Sequence, residues 1–140
     1  MRGEVGVAGR MKGVFLDTHI RLWYRAGDTR LSPQVAELLS QSSLDIWISS
    51  ASIWEALVLG EQGRVKMVPD PERWIQANLT LLQAKEALLT WEIAYISRSL
   101  QFDHADPIDR FIAATAFQLK IPLVTADASL QKLDWLTVIS

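Results

Sequence analysis

Short apolar runs alternate along this chain with longer stretches in which apolar residues recur every three or four positions. The runs Val14–Leu16, Leu44–Ile48 and Ile121–Thr125 predict buried strands, with Leu88–Trp91 and Thr137–Ile139 as further short ones. Pro122 falls near the start of its strand, where a missing N–H is tolerated. The helical stretches fall between them. One follows Asp17, carries Ile20, Leu22, Trp23 and Tyr24, and stops at Gly27-Asp28. Ser32-Pro33 is a cap and first position for the next, with Val35, Leu38 and Leu39 as its stripe. Ala51–Leu59 carries Glu55 and is closed by Gly60 and Gly63. Pro71–Ala87 is helical by period, with a weak point at Asn78–Thr80. Glu92–Leu100, Asp106–Lys120 (apolar face Phe111, Ile112, Thr115, Phe117, Leu119) and the turn Ala128–Leu130 complete the set. Strand and helix in alternation predict an α/β fold, with a central parallel sheet of about four to five strands and helices on both faces. Residues 1–10 hold three glycines and no period, and read as a loose tail before one domain over 11–140.

Composition narrows the function. At 140 residues the chain is long enough for one domain with its own core, and 49% hydrophobic residues exclude extended disorder. Without cysteine there is neither disulfide nor thiolate metal site, and two histidines are too few for a His-rich centre. No apolar run reaches the roughly 20 residues of a membrane span, and no secretory leader is evident, so a cytoplasmic protein is expected. The net charge of −2 means that a polyanion would need a local basic patch and a metal ion. Arg21, Arg25 and Arg30 form one basic stretch, Arg64 and Lys66 another; the plainer reading of both is solvated surface charge.

The chemistry-bearing residues are acids. Asp17 ends the first strand, Glu55 lies one turn into the helix after the second, Asp106 and Asp109 open a long helix, and Asp127 ends the strand that follows. In an open α/β sheet the carboxyl ends of the strands form one rim, and ligands bind there. Carboxylates gathered at one rim repel unless protons or a cation neutralise them, and an all-oxygen set suits Mg²⁺ or Mn²⁺. Each acid also has a structural reading. Asp106, with Pro107 after it and Asp109 at the third position, resembles a capping arrangement, which explains the pair about as well as catalysis does. Asp17 and Asp127 could cap the helices after them, and Glu55 could sit on an exposed face. His19 and His104 are candidates for acid–base work but more often structural. The six tryptophans could stack on bases, although a core or an interface is their commoner place. Gly-rich phosphate loops and nucleophile elbows are missing.

Leu16-Asp17-Thr18-His19-Ile20-Arg21-Leu22-Trp23, Ser50-Ala51-Ser52-Ile53-Trp54-Glu55, His104-Ala105-Asp106-Pro107-Ile108-Asp109-Arg110-Phe111-Ile112-Ala113-Ala114-Thr115-Ala116 and Leu123-Val124-Thr125-Ala126-Asp127 resemble, in order and spacing, the motifs of the PIN-domain family. Within it they are most similar to VapC-type toxins of toxin–antitoxin pairs. The resemblance covers roughly Met11 to Ser140 and implies a small α/β fold, a Mg²⁺- or Mn²⁺-dependent ribonuclease acting on RNA, a homodimer, and a small VapB-like antitoxin whose C-terminal segment enters the active-site groove. Carried over by position, Asp17, Glu55, Asp109 and Asp127 match the family's acids. Asp109 is favoured over Asp106 for the metal, and Thr18 and Thr125 match hydroxyls that steady the carboxylates. Arg21, Arg25 and Arg110 are candidates for RNA backbone contacts.

The chain departs from its relatives after Glu55, where Ala56-Leu57-Val58-Leu59-Gly60-Glu61 lacks their lysine, so that a basic contact would have to come from Arg64 or Lys66. The expected chemistry is phosphodiester hydrolysis, in which carboxylate-held metal activates water and offsets developing charge. The rival reading is a catalytically silent PIN-like module that binds RNA or protein. A receiver-type phosphoacceptor domain ranks below both, because no lysine follows the late strand at Thr125.

Overall fold

The computed structural model describes residues 13–101, 103 and 106–140; within them the side chains of Trp23, Arg25 and Ala26 are not described. The expected tail, His104 and the Arg25 side chain therefore lie outside the described residues. Five strands form one sheet: β1 (Gly13–Leu16), β2 (Asp45–Ser49), β3 (Lys85–Ala87), β4 (Leu123–Val124) and β5 (Val138–Ile139). Seven described helices connect them: α1 (Thr18–Ala26), α2 (Pro33–Leu39), α3 (Ser50–Glu61), α4 (Pro71–Leu82), α5 (Trp91–Ser99), α6 (Pro107–Leu119) and α7 (Ala128–Gln131). The strand order is β3-β2-β1-β4-β5 and every pairing is parallel. The α/β architecture with a five-stranded parallel sheet is as the periodicity predicts.

Because successive strand side chains point to opposite faces, β1 feeds two cores. Val14 and Leu16 join Ile20, Val35, Leu38, Ile46, Ile48, Leu82 and Val124 on one face, while Phe15 joins Ile112, Ala113, Ala116, Leu123 and Leu130 on the other. All four β1 residues are buried, as the central strand of a sheet covered on both sides requires. The chain runs outward from β1 through β2 to β3, then returns to the other side of β1 with β4 and β5. The strand order thus reverses beside β1, and the crevice beyond the carboxyl ends of β1 and β4 is the switch point of the sheet.

Several boundaries differ from the sequence expectation. The helix expected through Ala87 ends at Leu82, because Gln83 turns left-handed (φ 49°) and its N–H caps the Leu79 and Thr80 carbonyls. Residues 85–87 instead form the edge strand β3, with Lys85 Nζ bonded to Asp45 Oδ2 at 3.0 Å and lying 5.7 Å from the Trp47 ring centroid. Asn78, the presumed weak point, is buried inside α4 and donates to the Trp74 carbonyl at 2.8 Å. The strand expected at Leu88–Trp91 is a connection: Leu88 and Leu89 are exposed, and the Thr90 hydroxyl accepts from Ile93 N–H to start α5. Gly60 does not close α3 but lies within it, where a Cβ would come 2.8 Å from Met67 Sδ; Gly63, at φ 75°, takes the turn. Phe117, assigned to the inner face of α6, is exposed and meets Trp135 edge-on, with ring centroids 5.6 Å apart. Trp74 is buried as a core tryptophan should be, whereas Trp54 and Trp91 are 58% and 75% exposed. No helix among the described residues is long and apolar enough to cross a membrane.

Phe15→Ala should cost about 3–5 kcal/mol, since it empties a fully buried site on the central strand. Leu81→Ala, at an exposed position, should change stability by about 0.5 kcal/mol or less. Denaturant unfolding of the two variants checks both.

Candidate active site

Asp17 follows β1 directly and is only 6% exposed. It starts α1: its backbone carbonyl accepts from Arg21 N–H at 3.3 Å and its Oδ1 from Thr18 N–H at 2.7 Å. The other carboxylate oxygen, Oδ2, accepts from the Thr125 hydroxyl at 2.7 Å, across the switch point. That hydroxyl also accepts from the Asp127 N–H at 3.1 Å, so one oxygen ties the Asp17 side chain to the Asp127 backbone. Asp127 caps α7, its Oδ1 accepting from the Ser129 N–H at 2.9 Å and hydroxyl at 2.7 Å. Gln131 secures the same loop by donating from Nε2 to the Thr125 carbonyl at 3.0 Å.

Burial pushes the Asp17 carboxyl above its ordinary value; the bonds from Thr125 and Thr18 and the charge of His19 pull it back, and the charge of Asp127 pushes it further up. Desolvation and a neighbouring like charge make this a place where a cation would be welcome.

Glu55 is half-buried on α3, which packs against α1 on one side and against α6, the helix bearing Asp109, on the other. Ser52, one turn before Glu55, joins the helices: its hydroxyl accepts from the Thr18 hydroxyl at 2.9 Å, and its carbonyl from Arg21 Nη2 at 3.4 Å. Asp109 is half-buried in the first turn of α6, whereas Asp106 is exposed and caps that helix through Ile108 N–H at 2.9 Å. Among the described residues, no three His, Asp or Glu side chains stand close enough together to form a ready-made metal cage.

The PIN-domain family model matches residues 14–136, nearly the whole described chain. The chain belongs to the PIN-domain family. Ribonuclease VapC22 of Mycobacterium tuberculosis is 28% identical over 122 residues, an alignment covering 86% of this chain and 92% of that protein. Among solved structures, a toxin–antitoxin complex from Klebsiella pneumoniae has a chain that superposes with a TM-score of 0.66 at 18% identity, covering 91% of this chain and 96% of its own. VapBC-1 from nontypeable Haemophilus influenzae gives 0.63 at 20% identity, covering 91% and 97%. At such identities the two structures speak to fold, and the fold they share is the one described above.

In this PIN domain Arg21 and Arg110 depart from the sequence expectation. Arg21 is not a solvated charge: it is 0% exposed, and so stands away from direct contact with a substrate backbone. Arg110 is half-buried and donates to the Ser97 carbonyl at 2.9 Å, joining α6 to the end of α5. Arg30 is paired with Asp28 at 2.8 Å, an exposed bond that draws the Asp28 carboxyl down to about 2. Arg64 and Lys66 are exposed and, with His19, Leu22 and Leu59, line a groove of about 610 Å³. Sequence reasoning missed Ser52, Ser129 and Gln131 as parts of the site. Ser52 carried a signal, three residues before Glu55 on the same helical face; the others had none beyond their nearness to Asp127.

The raised Asp17 value fixes a sign. Folded protein holds this proton more tightly than unfolded protein does, so the contribution is fully present below the ordinary value of 3.8 and is lost as pH rises through the folded-state value. Metal-free protein should therefore lose stability across that window, and Asp17→Asn should flatten the slope in unfolding curves taken at successive pH values. Thr125→Val keeps the shape but removes the hydroxyl that serves both Asp17 and Asp127. It should cost about 1.5–3 kcal/mol near neutral pH and less in acid, by the same measurement.

Proposed function

We propose that this PIN-domain protein is a metal-dependent endoribonuclease and the toxin half of a VapBC-like toxin–antitoxin pair. The observation that carries the reading is a buried carboxylate at the switch point, Asp17, raised by burial and facing a second acid, Asp127. The similarity to ribonuclease VapC22 along nearly the full length of both chains supports the substrate class. Oxygen donors of this kind fit Mg²⁺ or Mn²⁺. Mg²⁺ commonly keeps several waters and takes one or two carboxylates plus substrate phosphate oxygens. Asp17 and Asp127 would hold the ion, with Glu55 and Asp109 as the further acidic residues of the centre. Asp106 serves the helix as its cap.

When bound, the ion supplies Lewis-acid stabilisation of the phosphodiester and an activated water. The chain's own residues set the stage. Thr125 and the Thr18 N–H fix both oxygens of Asp17, so that the carboxylate presents one orientation. Burial keeps the surroundings of Asp17 at low dielectric, where charge interactions are stronger. Ser129 holds Asp127 through one oxygen, Oδ1, which accepts from both its N–H and its hydroxyl. Exposed Arg64 and Lys66 flank the groove beside His19 and offer cations to the RNA backbone in place of the missing lysine. The proposed partner is a small VapB-like antitoxin, by analogy with the toxin–antitoxin complexes of like fold. Exposed Trp91, Tyr95, Leu88 and Leu89 provide apolar surface suited to the proposed homodimer.

Purified protein freed of any partner should cleave RNA only with Mg²⁺ or Mn²⁺, and Asp17→Asn should lower the rate by about a hundredfold or more, equivalent to the loss of several kcal/mol of charge stabilisation. Calorimetry with Mn²⁺ separates the enzyme from a silent scaffold. Binding that Asp17→Asn abolishes supports the enzyme, and no binding by the wild type removes it.

A further inference from the structure

Arg21 is the largest fully buried side chain among the described residues, and its charge is poorly served. Of its donors only Nη2 has an acceptor, the Ser52 carbonyl, at a long 3.4 Å; Nε and Nη1 are buried with no hydrogen-bond partner among the described residues. An unpaired buried charge is costly and persists where something offsets it. Burial lowers its pKa only to about 10, so it stays a cation at neutral pH, and the charged group that supports it is Glu55. The connectivity agrees. Arg21 reaches α3 at Ser52, one turn before Glu55, and Thr18, one turn before Arg21, reaches the same serine. The guanidinium is therefore anchored one turn from the half-buried Glu55, with two donors unused. An RNA phosphate cannot reach a side chain that is 0% exposed without rearrangement of the helices.

We propose that Arg21 is a positioning residue, a buried cation fixed to α3 one turn from Glu55 that orients the Glu55 carboxylate toward the acidic centre from beneath. The proposal rests on the functional reading above only in giving Glu55 a place in catalysis; the charge coupling itself stands apart from it. Arg21 thereby offsets one negative charge of the rim in the metal-free protein.

A double-substitution cycle tests this in metal-free protein. Glu55→Gln should lower the melting temperature by about 4 °C or more when Arg21 is present, and by much less in the Arg21→Met background, where the cation is gone but the volume is kept. Equal shifts in the two backgrounds would overturn the coupling. Should Arg21→Met fail to fold, Arg21→Gln takes its place: a Glu55→Gln shift well below that in the wild type supports the coupling, and an undiminished shift overturns it. With RNA and Mn²⁺, Arg21→Met should lower kcat about tenfold with KM unchanged; a rise in KM at constant kcat would make Arg21 a substrate contact and sink the positioning role. If no variant or wild type cleaves RNA while the thermal coupling is present, the nuclease reading fails and the Arg21–Glu55 pair survives.

Discussion

One hydrogen bond, from the Thr125 hydroxyl to Asp17 Oδ2, fastens together the parts of the molecule that matter most. Asp17 directly follows the central strand, and Thr125 directly follows the neighbour that reaches it from the far side of the strand-order reversal. Their backbones are also joined, Asp17 N–H donating to the Val124 carbonyl at 3.1 Å. The bond holds a desolvated carboxylate in place and, through the same hydroxyl, fixes the entry to the Asp127 turn. Two cores depend on the sheet at this point, because Leu16 and Val124 pack to one side while Phe15 and Leu123 pack to the other.

The acidic centre is thus a compromise between packing and charge. Apolar neighbours on both faces raise the cost of ionising Asp17, and Asp127 adds like-charge repulsion. Short hydroxyl and amide contacts recover part of that cost, since hydrogen bonds to an ionised group are stronger than neutral ones. On the α3 side the proposed offset is a buried cation, Arg21. The two halves meet at the Thr18–Ser52 hydroxyl pair, which joins the helix after β1 to the helix after β2.

Much of this was legible in residue order. Apolar runs ending in Asp17 and Asp127, and the Ser32-Pro33 and Asp106-Pro107 starts, lead directly to the observed elements, because strand burial and helix capping are local effects. β3 was hidden: Lys85-Glu86-Ala87 has no strand character of its own and is held by pairing to β2 and by the Asp45 and Trp47 contacts of Lys85. The end of α4 was hidden for a related reason, as a left-handed Gln83 leaves no mark in the apolar period. Arg21 was misjudged because a charge on an amphipathic helix ordinarily faces water. Its burial follows from the fold, which sets α1 against α3, and no property of residues 18–26 alone announces it.

The Asp17–Thr125 contact spans 108 positions of sequence. During synthesis, β1 leaves the ribosome long before its β4 partner does, and the central strand waits with one edge unpaired. A growing chain that stops short of residue 125 has neither the hydroxyl that orients Asp17 nor the second acid beside it. The crevice at the switch point is therefore among the last features of the molecule to take shape.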